Sequence, residues 1–153
     1  MTMRLESMAA RAGLLSILVA LAGPASAAPV SSPIVVVPGA EHYTAAPPPF
    51  SKGIMIAVLS GNPKDAGTPY TIRFKLPDGA RVPVHAHGRT ENVTVIQGQF
   101  MVGLGSTFDA SKLKGLPTGA YVSIPPGVAH YAMAKGLTVV DVSGVGPEST
   151  TFR

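Results

Sequence analysis

The sequence predicts an all-β fold, a sandwich or barrel of short strands, for most of this chain. From Gly53 onward, short runs rich in β-branched residues alternate with Gly and Pro, as in strands joined by turns. No long segment there carries the 3.6-residue apolar period of an amphipathic helix. Charged residues make up only 13% of the chain and hydrophobic residues 46%, which fits strands that are buried on one face or both.

The N-terminal segment is predicted to be a secretory signal peptide, residues 1–27. Arg4 and Arg11 precede or flank an apolar run at 12–23, and the small-residue site Ala25-Ser26-Ala27 follows. This order is typical of a cleaved export signal, and the run is shorter than the roughly 20 residues a spanning helix needs. We expect cleavage after Ala27 and no stable membrane insertion afterwards. The export signal predicts a periplasmic or secreted location. The absence of cysteine fits this location, where disulfides are permitted but not required.

Residues 28–52 hold many of the prolines and predict an extended N-terminal arm. Within it, residues 34–37 are apolar and could pair at a sheet edge. His42 stands alone in this arm and is expected to be exposed and without a role. Residues 53–153 are predicted to form the barrel itself.

The predicted strands of the barrel are short and evenly spaced, with turns between them. They cover residues 54–59, 70–76, 81–87, 92–97, 99–104, 120–124, 129–134 and 137–142. One helical turn is predicted at 109–113, with Asp109 as its N-cap and Gly115 as its stop. Lys112 and Lys114 are expected to lie in a solvated loop.

Three of the four histidines lie in two constellations that suit a metal ion. His85 and His87 are two residues apart in a predicted strand, so their imidazoles share one face. Glu91 follows after a short turn, and His130 opens a later strand. Imidazole and carboxylate ligands suit Fe, Mn, Ni, Zn, Co or Cu. On its own, a His-x-His pair is more often a structural feature than a ligand pair.

These residues complete a pattern that resembles the cupin superfamily, in particular small single-domain bacterial cupins. The first motif has its glycines, histidines and glutamate at the family spacing: Gly79, His85, His87, Glu91 and Gly98. The second motif follows in the right order: Gly119, Pro125, Gly127 and His130. Its last element departs from the family, because Ala134 stands where the pattern has Asn. The departure leaves the end of that strand uncertain and does not involve a usual metal ligand.

The resemblance covers about residues 53–142 and implies a double-stranded β-helix, the jelly-roll barrel of cupins. It implies that His85, His87, Glu91 and His130 bind one divalent transition metal ion. Cupins include dioxygenases, decarboxylases, isomerases, lyases and binding modules, so the fold does not give the reaction. A metal-dependent small-molecule enzyme of dioxygenase type is favoured here. The alternative is a non-catalytic module that binds a small metabolite or a metal ion, and whether the protein is an enzyme stays open.

The expected partner is a small molecule. Lys and Arg are scattered, so the net charge of +4 does not indicate nucleic-acid binding, and a homodimer stays open. No catalytic residue beyond the metal ligands can be named from the sequence.

Side-chain phase along the strands predicts what faces the barrel lumen. In the strand at 70–76, either Arg73 and Lys75 or the apolar phase that includes Phe74 points inward. Burial preference favours the apolar phase, with both cations in water. Val93 and Val95 are in phase with Glu91 and should form an apolar pocket wall. Phe100 and Tyr121 could line the pocket or fill the core, whereas Tyr131 and Met133 are out of phase with His130 and should point away from the metal.

Overall fold

The computed structural model of the protein describes residues 32–153, and the predicted signal peptide lies outside them. This part of the chain contains nine strands and one 3-10 turn, and no α-helix. The strands are β1 Thr44–Ala45, β2 Met55–Ser60, β3 Pro69–Leu76, β4 Arg81–His87, β5 Glu91–Leu104, β6 Lys114–Pro117, β7 Tyr121–Ile124, β8 His130–Val145 and β9 Thr150–Phe152. Over residues 32–153, no helix is both long and apolar enough to cross a membrane.

All strand pairs are antiparallel and join into one curled sheet. Its main path runs β1-β2-β3-β8-β4-β9, and β5 joins β8, β6 and β7. Alternate side chains of these strands point inward and form one apolar core around Val93, Val95, Phe100 and Val140, all buried. The all-β prediction is confirmed, and the curled sheet is a jelly-roll barrel.

Two pairs of predicted strands are each one long strand. The segments 92–97 and 99–104 are continuous in β5, and 129–134 and 137–142 are continuous in β8. These two strands pair with each other along both halves, and their register shifts around Gln97. Gly98 is therefore a pivot inside a strand and not a turn between strands. Its φ is +80°, and a Cβ there would lie 2.3 Å from the carbonyl oxygen of Leu137.

The position where the cupin pattern has Asn lies inside β8, near its start. Ala134 is buried, its N–H donates to the carbonyl of Ala80, and its carbonyl accepts from the N–H of Gly79. The strand therefore does not end there, because paired backbone groups carry it on to Val145.

The segment between the two motifs matches its prediction in part. A 3-10 turn spans Ala110–Lys112, and the Asp109 side chain accepts a hydrogen bond from the N–H of Ser111 as its N-cap. The turn ends at Leu113, earlier than the predicted stop. Lys114 opens β6, which pairs with β5 through Val102 and its neighbours, so this lysine is exposed but lies in a strand.

The N-terminal arm lies against the barrel from about residue 41 onward. Residues 34–37 form no strand, and the pairing with the sheet edge is made instead by β1, in which Thr44 lies opposite Ile56 of β2. Phe50 packs against Phe74 and Phe152, with ring centroids 5.9 and 5.5 Å apart. The arm thus contributes an aromatic side chain to the interior.

Candidate metal centre

Strands β4 and β8 place three imidazoles side by side at one end of the barrel. His85 and His87 occupy the same face of β4, and His85 lies directly opposite His130 in the pairing of β4 with β8. The ring centroid of His85 lies 4.1 Å from that of His130 and 4.9 Å from that of His87. The predicted sharing of one face by the His-x-His pair is confirmed.

Glu91, the first residue of β5, brings a carboxylate to the same point. Its Oε1 lies 3.3 Å from Nε2 of His87, and its Oε2 lies 3.1 Å from Nε2 of His130. One ligand atom from each of the four side chains lies within 4.8 Å of all the others. Structure and sequence therefore single out the same four residues as a cluster that could bind a metal ion.

Backbone carbonyls orient two of the three rings. Nδ1 of His85 lies 2.7 Å from the carbonyl oxygen of Pro83, and Nδ1 of His130 lies 3.0 Å from that of Val128. Because a carbonyl can only accept, each Nδ1 must carry the proton and donate it. Each Nε2 is then unprotonated and carries the lone pair that a metal ligand needs.

The third imidazole leaves a buried polar atom without a hydrogen bond. Nε2 of His87 is shielded from water, and its contact with Glu91 lacks hydrogen-bond geometry. Burial of an unsatisfied polar atom costs free energy, and a metal ion would satisfy it. Three neutral imidazoles and a carboxylate are a donor set that first-row transition ions accept. The cluster therefore fits the ion that its residue types indicate.

The electrostatic environments of these groups differ strongly. Burial, with a smaller contribution from His130, lowers the pKa of His85 to about 4. Burial also opposes charge on His87, but the hydrogen bond to Glu148 and the adjacent Glu91 carboxylate outweigh it and raise the pKa of this imidazole to about 9. For Glu91, burial is outweighed by the adjacent imidazoles of His130 and His87, which bring the pKa of this carboxyl to about 2. The carboxylate is thus ionised at neutral pH and available as a ligand.

The cluster opens onto an apolar cavity of about 290 Å³ inside the barrel. Apolar side chains from most strands line it, among them Ile72, Phe74, Val93, Phe100, Ala132 and Val142. The arm closes part of it with Pro47 and Phe50. A molecule in this cavity would touch hydrocarbon on most sides and the four polar ligands at one end.

The strand phases predicted for the lumen are largely confirmed. The apolar phase of β3 faces the cavity, and so does Val93, whereas Val95 is buried in the core without lining it. We expected the Arg73 side chain to be surrounded by water, and this expectation is wrong. Arg73 forms an ion pair with Asp141 at 2.7 Å and one with Glu41 at 2.9 Å, because this outward face of β3 lies beside β8 and the arm.

Side chains out of phase with the ligands lie elsewhere. Tyr131 is fully buried, packs against Phe108, and donates its hydroxyl to the carbonyl of Asp109. Met133 does not line the cavity. His42 is exposed on the arm, outside the cluster. Tyr121 is exposed and neither lines the cavity nor fills the core, so the expectation for this residue is wrong.

Two polar residues at the centre were missed from the sequence. Glu148 and Thr150 line the same cavity, and both lie 3.1 Å from Nδ1 of His87. They belong to the C-terminal segment and to β9, where we predicted no strand. The available signal was the alternation of Glu148 and Thr150, two residues apart like His85 and His87.

No protein-family model and no curated protein matches the chain. Solved structures do match its fold. An RmlC-like cupin from Shewanella frigidimarina shares 20% identity at a TM-score of 0.57, over 73% of this chain and 89% of that one. An acetylacetone dioxygenase from Acinetobacter johnsonii shares 17% at 0.63, over 81% and 80% of the two chains. The polyketide cyclase RemF from Streptomyces resistomycificus shares 18% at 0.63, over 78% and 85%. The chain therefore has the cupin fold, and at these identities the likeness concerns the fold alone.

Proposed function

We propose that this protein is an exported, metal-dependent enzyme that acts on a small apolar molecule, with oxygenation as the favoured reaction type. The observation that carries the proposal is the position of His85, His87, Glu91 and His130 at the end of an apolar cavity. A bound divalent transition ion would supply Lewis acidity and redox chemistry at that position. The acetylacetone dioxygenase and the polyketide cyclase among the similar structures support a small-molecule substrate.

The cavity selects its occupant by size and polarity. About 290 Å³ lies at the lower end of the range for small-molecule pockets. Its aliphatic and aromatic lining excludes water and favours a compact, largely apolar molecule that directs its oxygen atoms toward the four ligands. Arg73 is paired on the outer face of β3, so it offers no charge inside the cavity to an anionic substrate.

Few groups in the lining can move a proton. Burial raises the pKa of Tyr70 to about 12, so its hydroxyl stays protonated and can donate a hydrogen bond but cannot act as a base near neutrality. Glu148 is engaged with His87 and Thr150. This scarcity of bases argues against hydrolysis and sugar isomerisation, both of which need proton transfer to or from the substrate.

The second candidate is a non-catalytic module that binds a small apolar metabolite next to a metal ion. The same apolar lining favours it, since hydrocarbon contact alone supports binding. The two candidates differ in whether bound molecule and O₂ are consumed.

Oxygen uptake by the metal-loaded protein separates these candidates. Protein loaded in turn with Fe, Mn, Ni, Co and Cu is supplied with phenols, β-diketones and small organic acids, and dissolved oxygen is followed. We expect oxygen to be consumed with at least one pair of metal and substrate.

The Glu91→Gln variant should keep part of the metal and lose most of the turnover, because the substitution removes the negative ligand and preserves the shape of the side chain. If no pair consumes oxygen while binding is detected, the binding module replaces the oxygenase.

Export is a separate part of the proposal. It is supported by the basic start, the apolar run and Ala25-Ser26-Ala27. N-terminal sequencing of protein expressed in a bacterial host should start at Ala28 or within a residue or two of it. Protein that still starts at Met1 would contradict export.

A further inference from the structure

One of the three imidazoles is oriented by a side chain instead of its own strand. His85 and His130 each donate Nδ1–H to a carbonyl two residues earlier in the chain. Nδ1 of His87 has no such carbonyl partner and lies 3.1 Å from Oε1 of Glu148. The carboxylate comes from a segment 61 residues away in sequence, so this contact is a product of the fold.

The backbone around Glu148 is anchored on both sides. The N–H of Glu148 donates to the carbonyl of Pro63 at 2.6 Å, and the N–H of Gly88 donates to the carbonyl of Ser149 at 3.1 Å. Gly88 also leaves room for the Ser149 hydroxyl, because a Cβ at residue 88 would lie 2.5 Å from the hydroxyl oxygen. Thr150 of β9 then pairs directly with His87 of β4. Glu148 is therefore held against His87 by main-chain contacts and not by a flexible loop.

Thr150 determines which way the carboxylate faces. Its hydroxyl donates to Oε1 of Glu148, the same oxygen that faces His87, and lies 3.1 Å from Nδ1 of that imidazole. A hydroxyl that gives its proton to the carboxylate has none left for Nδ1. Both neighbours of Nδ1 are therefore acceptors, and Nδ1 must carry the proton. Once the ring is neutral, Nε2 is therefore the unprotonated nitrogen, and it points toward the other ligands.

We propose that Glu148 is a positioning residue, which fixes His87 in the Nδ1–H form and makes its Nε2 a stronger metal ligand. The inference rests on the proposed function in so far as the cluster binds a divalent ion. A carboxylate that accepts from a ligating imidazole orients the ring and raises its basicity, and loss of such a partner typically costs 10- to 100-fold in metal affinity. It also adds a second negative charge beside the one that Glu91 supplies, which lowers the effective charge at the centre.

Zn²⁺ affinity measured by competition with a chromophoric chelator tests this role. Glu148→Ala should weaken Zn²⁺ binding about 10- to 100-fold. Thr150→Val, which preserves shape and removes the hydroxyl, should weaken it by a smaller factor. Glu148→Gln keeps an oxygen acceptor without the charge and should lie between wild type and Glu148→Ala. Glu41→Ala is the matched control, since this carboxylate pairs with Arg73 outside the cavity, and its affinity should equal that of wild type.

A spectroscopic readout separates positioning from a general loss of structure. In the Zn²⁺-loaded protein, ¹⁵N-edited NMR should show Nδ1–H signals from all three ligand histidines. In Glu148→Ala, the His87 signal should broaden through exchange with water, while those of His85 and His130 persist because their carbonyl partners remain. A merely structural defect at β9 would not affect one ring selectively.

The outcomes distinguish this inference from the function on which it rests. Wild-type protein that binds no Zn²⁺ would overturn the metal site and the inference with it. Wild-type binding, with unchanged affinity and an unchanged His87 signal in Glu148→Ala, would overturn only the role of Glu148. If Glu148→Ala does not fold, Glu148→Gln and Thr150→Val decide by the same two measurements.

Discussion

At the scale of single residues, the imidazoles of the cluster differ in their surroundings and in their pKa values, although the motif gives all of them the same role as metal ligands. His85 is surrounded by apolar groups and other rings, and its pKa falls to about 4. His87 has the carboxylates of Glu148 and Glu91 beside it, and these two negative groups overcome the effect of burial and raise its pKa to about 9. In the metal-free protein, one ligand is thus neutral and another is protonated at neutral pH.

Metal binding is therefore expected to depend on pH through His87. A group with a pKa near 9 is protonated at pH 7, and the proton must leave before Nε2 can bind a metal. Apparent Zn²⁺ affinity should rise as the pH increases from about 6.5 to about 8.5, by about tenfold per unit if one proton is displaced. Chelator competition at a series of pH values measures this slope. A Zn²⁺ affinity that stays constant from about pH 6.5 to about pH 8.5 would contradict this expectation. It would show that His87 is already neutral at the acidic end of the pH range.

At the scale of strands, two glycines that the sequence places between predicted strands have roles that the sequence could not distinguish. Gly98 and Gly136 both have positive φ, at +80° and +71°. In the sequence, both resemble glycines of turns. Around Gly136 there is free space, since a Cβ added there would have no other group within 4 Å. A Cβ on Gly98 would collide with the Leu137 carbonyl. Gly98 is thus required by close packing as well as by its backbone angle.

Alanine substitutions at these two glycines separate the two effects. Gly136→Ala should cost about 1 kcal/mol in the free energy of unfolding, for the positive φ alone. Gly98→Ala carries the same cost plus the clash, and we expect about 3 kcal/mol or more. Urea unfolding followed by circular dichroism gives both values. Equal losses at the two positions would mean that β8 moves aside freely at Leu137.

Sequence patterns identified the parts of the fold that depend on local spacing. The shared face of the His-x-His pair and the apolar phase of β3 follow from strand alternation. Glu91 follows from the spacing of the motif, and Asp109 follows from its capping chemistry. The continuity of β5 through Gly98 could not be predicted. A bend that β5 and β8 share has the same local sequence as a turn between two separate strands. Glu148 was missed for a related reason, since only long-range pairing of β9 with β4 brings it to His87.

At the scale of the whole molecule, both ends of the described chain help to close the barrel. The arm contributes Phe50 and the C-terminal strand contributes Phe152, and the two rings pack edge to face. Both side chains also line the cavity. The proline content of the arm predicted its extended form, and residues 34–37 suggested pairing at a sheet edge, but the local sequence could not indicate that Phe50 would pack inside the barrel.

The arm should therefore contribute to the stability of the barrel. Phe50→Ala removes a partly buried ring from two aromatic contacts, and we expect a loss of about 2 kcal/mol in the free energy of unfolding. Val35→Ala on the same arm is the control, because Val35 is 80% exposed and its loss should lie within about 0.5 kcal/mol. Thermal and urea unfolding of both variants provide the comparison. A Phe50→Ala protein as stable as Val35→Ala would mean that the arm does not contribute.

The central claim is that the cluster binds one metal ion, and metal content of the purified protein tests it most directly. Wild type, His130→Ala and His42→Ala are loaded with Zn²⁺, freed of excess metal and analysed by mass spectrometry of the elements. We expect about one ion per chain in wild type and in His42→Ala, and little in His130→Ala, which loses a buried ligand. Equal metal content in all three proteins, or an equal loss from both substitutions, would contradict the claim.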